Sequence, residues 1–277
     1  MCTRRGFTLR DLIVTLVVLL LLAFVYTLFM PYLGNARELA KRAACAMNLS
    51  NLGKAIALYK NNNSDRFPFM DGPAAWDSTP TGTNRATEPK ADTPHAVTAM
   101  MFLLIRDGQS AKFFCCPCDA DVTEDTNLKD SAGVFYWDFS SAKNCSYGYQ
   151  LPLANNSTGT FSIDPKLTGK AKDEAEAKDY LAGRVIIMAD KAPAGDLGGY
   201  AAGGKANAYM SPNHKGQYIN VLRQETDVIN GRTPDCGTDK DYIYTASGKK
   251  DGGSQYGGSA SQAKHLSELD SCIVGPK

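Results

Sequence analysis

Hydrophobic positions follow two regimes along this chain. From Leu12 to Asn35 no charged residue interrupts a run made mostly of Leu, Val, Ile, Phe and Ala. A helix rising about 1.5 Å per residue needs roughly 20 such residues to cross a hydrocarbon layer about 30 Å thick, so the run has membrane-spanning length. Pro31 lies inside it, removing one backbone hydrogen bond and disfavouring helix at Met30; this predicts a kink or local melting, eased by Gly34. Beyond Gly34, the residues Leu39, Ala43, Met47, Leu49, Leu52, Ile56 and Tyr59 recur near the i, i+3, i+4 spacing of a helix with one apolar face. The turn formers from Asn61 to Asp65, followed by Pro68, stop that helix near Asn61.

The rest of the chain alternates short apolar runs with turn formers. Ala96 to Ile105 reads as a short helix ended by Asp107-Gly108. Phe113 to Cys116, Ser146 to Leu151, Arg184 to Ala189 and Tyr218 to Leu222 read as strands, rich in aromatic and β-branched residues. Strands following a long helix predict an α+β head with an antiparallel sheet laid on that helix. Pro73 to Thr93, Ala192 to Ala208 and Ser247 to Ala263 are rich in Gly, Ser, Thr, Pro and Ala and read as surface loops.

What precedes the apolar run is short and basic: Met1-Cys2-Thr3-Arg4-Arg5-Gly6, then Phe7-Thr8-Leu9-Arg10-Asp11. A secretory signal has a shorter apolar region closed by a small-residue cleavage site. The small-x-small triplet Ala44-Cys45-Ala46 lies beyond Arg37, Glu38, Lys41 and Arg42, too far from the apolar run to serve, and Cys45 lacks the aliphatic context of a lipoprotein site. The stretch Arg5-Gly6-Phe7-Thr8-Leu9-Arg10-Asp11-Leu12 resembles the prepilin cleavage and methylation motif of type IV pilins and type II secretion pseudopilins. That resemblance implies a membrane prepilin peptidase that cuts between Gly6 and Phe7 on the cytoplasmic side and methylates the new amine. It also implies a pilin-like fold in which the first half of the helix packs with other subunits and the second half with its own head. Where the family has Glu this chain has Asp11, one methylene shorter, so pairing with a neighbouring subunit's amine requires a shift in stagger. An acid beside lipid is costly unless it is paired. The plainer alternative is an ordinary anchor with Asp11 at the membrane interface. Basic residues flank both ends of the span, so orientation rests on the motif.

The stretch Cys45-Ala46-Met47-Asn48-Leu49-Ser50-Asn51-Leu52-Gly53 narrows the resemblance to pilin-like proteins with a processing-associated H-x-DG domain. Three later stretches agree: Phe113-Phe114-Cys115-Cys116-Pro117-Cys118-Asp119, Ser146-Tyr147-Gly148-Tyr149, and His214-Lys215-Gly216 leading to Asn220-Val221-Leu222. The named motif departs at its end, because Glu225-Thr226 stands where Asp-Gly is usual, so any turn built on that Gly is expected to change. The motif reads as a strand and hairpin closing the sheet, with His214 holding a loop and no catalytic role. The family stretches carrying Cys45 and Cys116 imply a bridge between them that tethers helix to head; Cys118 with Cys145 and Cys236 with Cys272 are further candidate pairs.

Composition adds limits. Hydrophobic content of 43 % suits a chain that buries a core, and a formal net charge of +1 gives no reason to expect nucleic acid as a partner. Of the 8 cysteines, leader removal takes Cys2 and leaves an odd number, so one thiol is left unbridged or pairs between subunits. Oxidised cysteines in an extracytoplasmic head are the plainer reading. The sharper one is zinc, with Cys115, Cys116 and Cys118 close together and Cys145 or His214 completing four ligands. Zinc sites favour Cys-x-x-Cys spacing, and adjacent cysteines on a strand point opposite ways, so neither metal nor cofactor is expected. The 3 histidines sit in no nucleophile, metalloprotease or phosphate-loop context, and no active site can be argued.

The sequence therefore predicts a leader over residues 1–6, a long helix over 7–62 with its span at about 12–35, and a head over 63–277. The expected function is structural: a subunit processed by prepilin peptidase and assembled with other pilin or pseudopilin subunits on an inner-membrane platform. Its expected location is a bacterial inner membrane, single-pass, N-terminus cytoplasmic and head extracytoplasmic. The alternatives are a singly anchored extracytoplasmic binding protein that does not polymerise and, from a third class, an anchored hydrolase.

Overall fold

The computed structural model describes residues 8–63, 67–68, 80–88, 96–150, 186–193, 210–236, 243–244 and 273–274. The architecture is α+β: one long N-terminal helix, a second short helix and a five-stranded antiparallel sheet. The elements are α1 (Leu9–Asn62), α2 (Val97–Arg106), β1 (Tyr147–Gln150), β2 (Ile186–Asp190), β3 (Ile219–Arg223), β4 (Val228–Gly231) and β5 (Ile273–Val274). By contacts the chain divides into two units, residues 1–43 and 44–277.

In the first unit, α1 starts with a capping box. Thr8 Oγ1 accepts from the Asp11 amide at 3.3 Å while the Asp11 carboxylate accepts from the Thr8 amide at 3.0 Å, so two donors at the helix start are satisfied. Leu9–Met30 is long and apolar enough to cross a membrane, with a mean hydropathy of 2.9 and no burial within the chain. The helix runs as a single element through Pro31, so local melting does not interrupt it.

The second unit takes the C-terminal part of α1 into its core. Cys45, Leu49, Leu52 and Ile56 are buried, spaced as the apolar face read from the sequence requires, and Gly53 lies on the same surface. A methyl group at Gly53 would come within 2.7 Å of Leu222 Cδ1, so the missing side chain lets α1 approach β3 closely. Asn48 Nδ2 donates to Cys115 O at 3.0 Å and Tyr147 hydroxyl to Cys45 O at 3.4 Å, tying the helix to the chain beside β1.

Short α2 is apolar nearly all round and almost wholly buried, as its sequence Val-Thr-Ala-Met-Met-Phe-Leu-Leu-Ile-Arg demands. Its end is a Schellman motif: Gly108, at φ +102, donates to Ile105 O and Gln109 donates to Leu104 O. The sheet order is β4-β3-β2-β1-β5, a meander from β1 to β4 with β5 added beside β1. Every residue of β1 and β2 is buried, so both faces of the central strands are covered.

Three strands expected from the sequence are present with ends shifted by one or two residues, and β4 and β5 are additions. The expected strand over Phe113 to Cys116 is corrected: Ala111–Phe114 is a 3₁₀ turn, capped by Ser110 accepting from the Lys112 amide, and only Cys115 returns to extended backbone. Its aromatic pair serves the core rather than a ladder, since Phe114 packs edge-on against Phe139 at 5.2 Å. The turn between β3 and β4 carries the Glu225-Thr226 pair. Thr226 donates to Arg223 O, Arg223 donates to Asp227 O, and Thr226 sits at φ +68. This is a three-residue hairpin loop with a left-handed residue before re-pairing. The loop thus keeps a conformation that favours glycine although it carries Thr, and exposed Glu225 precedes it.

Candidate functional site: a buried histidine and three sulfurs

The end of β2 carries a carboxylate into the interior. Asp190 closes the run Ile186-Ile187-Met188-Ala189 and is fully buried. Burying a charge requires partners. Asp190 Oδ2 accepts from the Asn220 amide at 2.7 Å, Oδ1 from Asn213 Nδ2 at 3.2 Å, and its backbone carbonyl from the Tyr244 hydroxyl at 2.9 Å. Asn213 Nδ2 also donates to Ser146 O at 2.7 Å, so one amide fastens the loop before β3 to both β1 and β2.

His214 completes this set. A 3₁₀ turn over Pro212–His214, capped by Ser211, delivers the ring inward, and Lys215 at φ +58 turns the chain away behind it. The imidazole is fully buried and stacked on Tyr218, with ring centroids 4.3 Å apart. Its Nε2 lies 3.1 Å from Asp190 Oδ2 and 2.9 Å from Asn220 Nδ2. As an N–H, Nε2 donates to the carboxylate. The other nitrogen, Nδ1, is buried without a hydrogen-bond partner among the described residues. His214 and Asn220 therefore meet, while Glu225 lies away in the turn.

Sulfur surrounds the same histidine. Cys45 on α1 is joined to Cys116, 71 residues away, with a Cα–Cα separation of 5.1 Å. Cys116 Sγ lies 3.9 Å from His214 Nε2, and Ser146 Oγ accepts from the Cys116 amide at 2.9 Å. The sulfurs of Cys45, Cys116 and Cys118 and one nitrogen of His214 all lie within 4.8 Å of one another. Lys191, just after β2, holds Asp119 at 2.6 Å and so pins the Cys116-Pro117-Cys118-Asp119 turn beside this group.

Other expected positions fall elsewhere. Cys118 and Cys145 are not joined, which corrects that pairing: Cys145 is buried, its thiol donates to Tyr147 O at 3.3 Å, and burial pushes its pKa well up. Cys115 stands outside the cluster, as alternation along extended backbone requires, and burial followed by the nearby Glu124, Asp119 and Asp125 raises its pKa to about 11. Gly6, Phe7 and Cys272 lie outside the described residues, as does the side chain of Pro31. Asp11 is engaged by Thr8 alone among the described hydrogen bonds.

Chemically, the cluster offers thiol, disulfide, imidazole and carboxylate groups in a water-poor interior. It does not have the layout of a nucleophile-base-orienter relay, because Cys116 and Asp190 face the same ring nitrogen, whereas a relay needs them on opposite ones. Sequence reasoning named His214, Asn220, Cys45, Cys116 and Cys118 but missed Asp190 and Asn213. The available signal was a lone carboxylate ending an otherwise apolar run. No family model, curated protein or solved structure matches the chain.

Proposed function

We propose that this chain is a pilin-like or pseudopilin structural subunit, cut between Gly6 and Phe7 by a prepilin peptidase and assembled through its N-terminal helix into a filament of the type II secretion or type IV pilus kind. The observation that carries this reading is the division of labour along α1. Leu9–Met30 is apolar and buries nothing within the chain, while the same continuous helix goes on to supply Leu49, Leu52 and Ile56 to a core. An apolar surface of that length needs lipid or like helices around it. The prepilin-like stretch at residues 5–12 adds the processing step and puts the head on the extracytoplasmic side of a bacterial inner membrane. The cluster at His214 serves the head's architecture in this reading, and no catalytic role is assigned to it.

A second reading, a permanent anchor carrying a binding head, draws support from Asp11. Its carboxylate already has the Thr8 amide and hydroxyl, at 3.0 and 2.7 Å, and so has local partners without a neighbouring subunit's amine.

Intact mass after co-expression with a prepilin peptidase separates the two. Loss of residues 1–6 plus gain of a methyl group, abolished by replacing Gly6, is the expected result. An unshortened chain beside a peptidase that cuts a control substrate leaves the anchor reading.

A further inference from the structure

We infer that, before its disulfide forms, the head holds a binding site for a soft divalent cation such as zinc, made by Cys45, Cys116, Cys118 and His214. Three cysteines and one histidine form a ligand set that zinc takes in closed tetrahedral sites. Here they come from three separate parts of the chain: α1, the turn after the 3₁₀ segment, and the loop before β3. Their ligand atoms lie within 4.8 Å of one another, whereas ligands about 2.3 Å from a tetrahedral ion sit roughly 3.8 Å apart. Reduction lets the bonded pair open toward that spacing, and the outer atoms have about 1 Å to draw in.

The surroundings are also those of a metal site. Cys45, Cys116 and His214 are buried, and Cys118 is partly so. Asp190, held by Asn213 and the Asn220 amide, engages His214 Nε2, so a cation taken by Nδ1 would find on the opposite nitrogen the carboxylate partner that metal-bound imidazoles use. His214 Nδ1 is a buried polar atom without a hydrogen-bond partner among the described residues. The objection from spacing is met by the fold. Cys116 and Cys118, two apart, both reach the cluster, Cys115 just before them does not, and the third sulfur comes from a helix 71 residues earlier.

Binding and the disulfide exclude each other. The cation takes three thiolates and a neutral imidazole, so the thiols of Cys45, Cys116 and Cys118 each release a proton. Once Cys45 and Cys116 share an S–S bond neither sulfur carries that charge. Forming the bond from the metal-bound state frees the ion, returns a proton to Cys118, and passes two electrons to an external disulfide, which leaves as two thiols. The metal would thus hold α1 to the head while the chain is reduced, and the disulfide would do so afterwards.

The test uses the full-length chain in detergent, reduced with a phosphine, and titrated with Co²⁺ as a spectroscopic stand-in for zinc. Expected is one equivalent bound, with thiolate charge-transfer absorption and the intense visible bands of a tetrahedral site. Excess Zn²⁺ should bleach them. Cys118→Ser should weaken binding at least tenfold, because it removes a ligand without touching the disulfide pair, whereas Cys115→Ser should bind as the parent does. Oxidised chain should show no such spectrum. No tetrahedral spectrum on the reduced chain, equal binding by Cys118→Ser, or equal binding by oxidised chain would each overturn the inference.

Discussion

Replacing Thr226 with glycine should stabilise the head relative to replacing it with alanine, and the reason lies in one backbone angle. Thr226 sits at φ +68, directly before the β3–β4 ladder resumes. The left-handed region brings Cβ against the following carbonyl and costs an L-residue roughly 1–2 kcal/mol. Glycine escapes that cost but surrenders about 0.5–1 kcal/mol of additional chain entropy on folding. Thr226 is half-buried with its Cβ facing Gly53 of α1. Both variants lose the hydroxyl and γ-methyl, which cancels between them, while glycine alone also loses that Cβ, which holds the difference to the lower part of the range. The glycine variant should therefore exceed the alanine variant by about 0.5–1 kcal/mol, or roughly 1–4 °C in Tm for a domain of this size. Thermal unfolding of both variants, followed by circular dichroism in one detergent, measures the difference. An alanine variant as stable as the glycine variant would refute the claim that the hairpin stores strain at this residue.

Two further outcomes follow from buried groups. The Cys45–Cys116 bridge spans 71 residues, and cross-linking a loop of that length stabilises by about 4 kcal/mol in the chain-entropy account. Reduction in the presence of a chelator, or a Cys45→Ser/Cys116→Ser pair, should thus lower Tm by on the order of 10 °C. A fall under about 2 °C would mean that α1 is held to the head by packing alone. Asp138 is fully buried, and burial raises its pKa to about 7 against the hydrogen bonds from Gly82, Thr98 and Phe139 and the charge of Arg85. Between the ordinary carboxylate value and about 7 the folded chain holds a proton that the unfolded chain releases. Its contribution to stability is therefore present at low pH and lost as pH rises toward 7. Urea midpoints at about pH 5 and pH 8 should differ in the parent and converge in Asp138→Asn. An undiminished difference in the variant would assign the slope to other groups.

How much was legible in the sequence depended on how local each feature is. The span, the apolar face of α1, the Asp107-Gly108 stop and the strands at β1, β2 and β3 were readable because each is set by residues within one or two turns or one strand. Local aromatic content misled at Phe113-Phe114, where side chains wanted by the core at Phe139 imposed a 3₁₀ turn on a strand-like stretch. Nor did Glu225-Thr226 announce the left-handed residue of its turn. Pairing between β3 and β4 fixes the loop length, and the loop then demands a left-handed residue whatever its side chain.

By itself, then, the sequence determined an N-terminal helix apolar enough to cross a membrane and a following region of mixed helix and strand. Composition and periodicity carry that information because hydration acts on each residue where it stands. The bridge from Cys45 to Cys116 stands as the resemblance implied, but only the tertiary structure decided that Asp190 and Asn213 meet beside His214, and that Cys118 shares their space while Cys115 does not. Those relations join residues distant in the chain, among them Asp190 with Asn213, 23 positions apart, and Cys116 with His214, 98 apart. Loop closure costs only slowly rising entropy with length, so chain distance scarcely discriminates among such partners. The packing of α1 on β3, with Gly53 against Leu222, does so instead by fixing which buried groups can reach one another.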